Sequence, residues 1–149
     1  MNNATAIGLA LLTVVINGLI GHFFAPGGIL LTPLVISATT FFVGYCTKNI
    51  TVIFISILAF IFVALNDISI KLYAGGRHDN EGLMWTHLFL FIGLVPTSVI
   101  LLIAVFRRKS ARLTNKILAL VLFAGLVWVH LLLFDDVGLG RSFWYEWNG

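Results

Sequence analysis

The residues able to do chemistry crowd into one stretch, 66–82, which reads NDISIKLYAGGRHDNEG. It carries Asp67, Lys71, Arg77, His78, Asp79 and Glu81, with Gly75, Gly76 and Gly82 as hinges. Carboxylates beside an imidazole can work as general acid and base. Asp67, His78, Asp79 and Glu81 are therefore the catalytic candidates, suited to an enzyme acting on a lipid or its headgroup at a membrane surface. The same groups could hold a divalent ion such as zinc, with His78, Asp79, Glu81, His87 and His130 as ligands. Their spacing matches no closed metal motif, and RHDNEG lacks the regular ligand pattern of a calcium loop. No P-loop, dinucleotide fingerprint, GxSxG or HExxH is present, so no cofactor is indicated by motif. No stretch resembles a known family closely enough to lend it residues.

A third chemistry is proton or ion movement. His22, Asp67, His87, His130 and Asp135 fall near the ends of apolar runs, all toward one membrane face, with Asp136 beside them. Imidazole is the side chain suited to proton exchange near neutral pH, and an ionisable group in lipid is a functional-site hypothesis by default. Toward the opposite face only uncharged polar residues are available: Thr13, Asn17, Ser37, Thr39, Thr40 and Ser56. The structural alternative is that these helix-end groups bond loop backbone at headgroup level. Asp67 and Lys71, four apart with the acid first, then form an exposed pair contributing a fraction of a kcal/mol.

The elements that place these residues are membrane helices. The chain of 149 residues is 60% hydrophobic and 10% charged, with a mean hydropathy of +1.05. Soluble domains carry about 25% charged residues, so this is a membrane composition with no room for a sizeable soluble domain. Cys46 is the single cysteine, which excludes an intrachain disulfide. It lies where an acyl chain could be attached, but a buried or idle thiol is the preferred reading. The N-terminus lacks the basic region of a secretory signal, so the first apolar run reads as a retained span.

A helix needs roughly 20 apolar residues to cross about 30 Å of hydrocarbon. Five runs fit, at about 4–24, 29–45, 50–70, 85–106 and 117–134. The expected architecture is an all-α bundle of five transmembrane helices in one membrane domain, with four plus an interfacial segment as the fallback. An outer polar loop, 66–82, and an interfacial aromatic tail, 135–149, complete it. Pro33 falls in the first turns of the second run, and Pro96 predicts a kink in the fourth.

Basic residues set the expected orientation. Arg107, Arg108, Lys109, Arg112 and Lys116 share a side with Lys48, six in all, against Lys71, Arg77 and Arg141. The positive-inside rule then puts the N-terminus in the cytoplasm and the C-terminus outside, in an inner membrane of bacterial type. A net charge of +3 thus reads as topology and contact with anionic lipid heads, with no nucleic acid implied.

The first helix also carries Thr13, Asn17, Gly21 and Ala25 at every fourth position, a small or polar stripe. Such stripes let helices approach closely, within one chain or between chains. Asn17, Gly21 and Ala25, with Trp144, Tyr145 and Trp147 of the tail, are the docking candidates for other membrane subunits or a second copy. The functional expectation is a non-catalytic multi-spanning subunit of a larger membrane complex. The alternatives are the small membrane enzyme and the small proton or ion transporter.

Overall fold

In the computed structural model the described residues are 1–73 and 80–134, with Asn80 and Glu81 described in their backbone alone. They form five helices: α1 Asn3–Phe23, α2 Gly27–Tyr45, α3 Val52–Tyr73, α4 Asn80–Arg107 and α5 Leu113–Leu133. All five are long and apolar enough to cross a membrane. The fold is an all-helical, multi-pass membrane bundle, with no strand among the described residues. Lipid offers the backbone no hydrogen bonds, so a continuous helix is how each span satisfies its own amides and carbonyls.

Local residues start these helices. Asn2 caps α1, its side chain accepting from the Thr5 amide at 2.7 Å, and Thr51 Oγ1 accepts from the Phe54 amide at the head of α3. Asn49 takes a left-handed φ of 56° in the turn between α2 and α3, a conformation its short polar side chain tolerates.

Several boundaries differ from those expected. The third run, expected to end at about 70 and to overlap the polar loop from 66, continues as helix to Tyr73. Ile68, Ile70 and Leu72 continue the apolar pattern there, and the bundle pairs the charges between them. α4 begins at Asn80 rather than Trp85, and α5 at Leu113 rather than Ile117. A helix can run past the hydrocarbon into the polar interface, and α4, at 28 residues, extends about 42 Å. It is one uninterrupted helix through Pro96, as α2 is through Pro33.

α3 is the hub of the bundle and packs on each of the other four helices. Its Val52, Ile55, Phe62 and Val63 join Val43, Leu101, Val105 and Phe123 in the core. α5 is peripheral, burying Ala119, Phe123 and His130 and exposing residues such as Val121, Trp128 and Leu132. In lipid, close packing rather than apolar transfer holds helices together, and glycines permit it. A Cβ on Gly28 would stand 2.7 Å from Gly21 Cα, and one on Gly93 would stand 2.7 Å from Pro33 Cα.

Short connections give the bundle two distinct ends. At the basic end Asn3 bonds Lys48 through both its amide nitrogen and its oxygen. Arg108 crosses there to donate to the Thr47 and Gly44 carbonyls at 2.7 and 3.2 Å. At the far end His22 meets the Tyr73 carbonyl at 3.1 Å, and α3 joins α5 through the residues described next.

Candidate functional site

The far half of the bundle contains three ionisable side chains that meet at a single oxygen. Asp67 and Lys71 lie one turn apart on α3, and Lys71 Nζ donates to Asp67 Oδ2 at 2.8 Å. His130 of α5 brings Nε2 to the same Oδ2, also at 2.8 Å. Lys71 donates a second bond, 2.7 Å long, to the Phe134 carbonyl at the C-terminal end of α5, where a cation suits the helix dipole. Asp67, Lys71 and His130 are 1%, 1% and 4% exposed. The imidazole stacks on Phe134, with centroids 5.0 Å apart, and meets the Phe60 ring edge-on at 6.2 Å. Aromatic rings thus keep water from one side of the trio. Asp67 Oδ1 is buried and has no hydrogen-bond partner among the described residues.

One residue before Asp67 on α3, an amide network ties three helices. Asn17 Nδ2 donates to Asn66 Oδ1 at 2.8 Å and to the Gly28 carbonyl at 3.2 Å. Asn66 Nδ2 donates to Thr32 Oγ1 at 3.4 Å, and Thr32 in turn donates to the Gly28 carbonyl. The close approach of Gly28 to Gly21 puts the Asn17 amide within reach of α2.

The structure therefore sorts the residues singled out in the sequence. Asp67 and His130 of the proton layer come together. Lys71, expected to be an exposed partner, is instead enclosed with them, because α5 covers this face of α3. His22 stands apart at the rim, exposed, on the Tyr73 carbonyl, and His87 is half-buried on α4. His78, Asp79, Arg77, Asp135, Trp144, Tyr145 and Trp147 lie outside the described residues, as does the side chain of Glu81. Among the described residues no three His, Cys, Asp or Glu side chains converge as metal ligands.

Of the docking candidates on the first helix, Asn17 and Gly21 are buried against helices of their own chain, and only Ala25 is exposed. The basic cluster is also divided. Arg108 caps the end of α2 and Lys116 donates to the Phe106 carbonyl in the last turn of α4. Arg107 lies over the Tyr45 ring at 4.8 Å, while Lys109 and Arg112 are exposed.

Sequence spacing pairs Asp67 with Lys71, but it holds no sign of His130, which is 63 residues away. The available signal was depth, since both residues fall near the same end of their helices. No family model matches the chain, and neither a curated protein nor a solved structure shows similarity to it.

Proposed function

We propose that this protein is a small proton carrier of the membrane, with Asp67 holding the proton and Lys71 and His130 balancing its charge. One observation carries the reading: an ammonium and an imidazole share one buried carboxylate oxygen while the second oxygen is unpaired among the described residues. A buried ion pair is a poor device for stability, because desolvating both charges offsets their attraction. Ionisable groups facing a bundle interior more often mark ion or proton routes. The ammonium 2.8 Å from the carboxylate already fills the place beside Oδ2 that a metal cation would need.

The topology that goes with this reading has the basic end in the cytoplasm, the N-terminus inside and the C-terminus outside, in a bacterial inner membrane. The trio then lies in the outer half and receives protons from outside. A non-catalytic subunit of a larger complex has less support, since Asn17 and Gly21 are engaged within the chain. Contact with lipid alone accounts for the apolar surface of α5. The enzyme alternative retains Asp67 and His130 as a carboxylate–imidazole pair.

The test is reconstitution into vesicles containing a pH-sensitive dye, with a potassium-diffusion potential to drive protons. Wild-type protein should acidify the lumen faster than protein-free vesicles, and Asp67→Asn should abolish the difference while remaining helical and monodisperse. Equal rates for wild type and Asp67→Asn would remove Asp67 from the mechanism. Stoichiometric co-purification of another membrane chain would move the subunit reading to first place.

A further inference from the structure

Two kinds of hydroxyl line the bundle. Thr13, Thr32, Ser37, Thr39, Thr47 and Thr86 each donate to a carbonyl three or four residues earlier. That back-bond is how a helical hydroxyl is ordinarily satisfied where water is absent. Thr40, Ser56 and Thr97 do not make it. All three are 0% exposed, and their oxygens have no hydrogen-bond partner among the described residues.

These three come from three helices that pack on one another, α2, α3 and α4, and the helix contacts put them at one depth. Gly93 lies against Pro33 and Ile36, and Gly44 against Ala104. α2 and α4 run in the same direction, so Thr40 stands level with the turn that begins at Thr97. α2 and α3 run oppositely, with Gly28 against Ile70 and Thr32 bonded to Asn66. That register brings Thr40 level with Leu58, two residues and about 3 Å of rise from Ser56. Three unsatisfied hydroxyls therefore gather at one level of the core.

We propose that Thr40, Ser56 and Thr97 bind water, forming a hydrated station that is the second stop of the proton route beginning at Asp67. A buried water needs two to four polar partners; each of these oxygens is one, and the second lone pairs of neighbouring helix carbonyls are others. At the depth of Asp67 lie the Asn17, Asn66 and Thr32 amide and hydroxyl groups, and Asn17 Oδ1 is likewise unpaired among the described residues. From Thr32 to Thr40 is about 12 Å of helix rise. In each transfer a water accepts one proton and releases another to the next oxygen. One proton moves, and no electron or heavy atom does. The inference rests on the proton-carrier reading for its role in transport, but hydration of the station can be measured separately.

The experiment uses the full chain in bilayers, with Cys46→Ala to remove the native thiol. Thr40→Cys, Ser56→Cys and Thr97→Cys are exposed singly to a small cationic methanethiosulfonate, which needs water to reach and ionise a thiol. Ala10→Cys, at a fully buried apolar position of α1, is the dry control. Labelling of Thr40→Cys, Ser56→Cys and Thr97→Cys well ahead of Ala10→Cys is expected. Rates no faster than the control at all three positions would overturn the hydrated station. Water-edited solid-state NMR of the unmodified protein answers the same question if a cysteine variant misfolds. Signals of Thr40, Ser56 and Thr97 should build up ahead of that of Ala10, buried on α1, and equal build-up would overturn the proposal. Labelling without proton flux sinks the carrier reading and leaves the water site standing. Flux without labelling does the reverse.

Discussion

Lys71 and Asp67 are each tolerated in the bundle because the other is present. Removing Lys71 leaves the buried carboxylate with His130 alone, and removing Asp67 leaves the ammonium with the Phe134 carbonyl alone, whereas removing both leaves no buried ion pair. Lys71→Met alone should therefore destabilise the protein by about 3–5 kcal/mol, while the double variant Asp67→Asn/Lys71→Met should recover most of that loss. Detergent-unfolding titrations measure both, and equal stability of the single and double variants would contradict the pairing. Asn17→Leu makes a milder change, since it strips Asn66 Oδ1 and the Gly28 carbonyl of one shared donor. Interhelical bonds of this kind contribute about 0.6–1.7 kcal/mol, and the variant should lose an amount in that range in the same titration. At this scale the sequence was only partly legible. The i,i+4 spacing of Asp67 and Lys71 is local and readable. Their burial depends on which face of α3 receives α5, and rotation about a helix axis leaves little trace where all faces are apolar.

Helix existence was legible because length and hydropathy decide it, and the five apolar runs coincide with the five helices. Helix ends were less so. The third run was expected to stop at about 70, before Lys71, yet the ladder of α3 continues to Tyr73 because α5 supplies His130 and the Phe134 carbonyl to the charges there. The close contacts between elements could not be read at all, because nothing in the sequence distinguishes Gly93 from Gly125. In the structure a Cβ on Gly93 meets Pro33 and Ile36, while one on Gly125 meets nothing within 4 Å. Gly93→Ala should thus force α2 and α4 apart and cost about 1–3 kcal/mol. Gly125→Ala should be neutral or stabilise by up to about 1 kcal/mol, because a mid-helix glycine is itself unfavourable. Thermal unfolding of the two variants in one detergent compares them directly, and the opposite ranking would contradict the helix packing described.

The whole molecule is polarised along its membrane axis. Lys109 and Arg112 project from the basic end, and the only carboxylate described with its side chain, Asp67, lies near the far end. A periplasmic reporter such as alkaline phosphatase fused at the C-terminus should be active in wild type. Replacing Arg107, Lys109 and Arg112 with Gln should yield a mixed orientation, because cations in short loops set topology. An inactive reporter on the wild-type chain would reverse the direction in which protons enter. Between the two ends, the Asp67, Lys71 and His130 trio and the three buried hydroxyls occupy different depths of a bundle with α3 at its centre, the first and second stops of the proposed proton route. The most direct test is dye-reported proton flux through reconstituted wild-type and Asp67→Asn protein, prepared in parallel and confirmed folded. Flux in the wild type that falls to the protein-free level in Asp67→Asn is the expected result. Undiminished flux in Asp67→Asn, or none in the wild type, would contradict the assignment of Asp67 as the proton carrier.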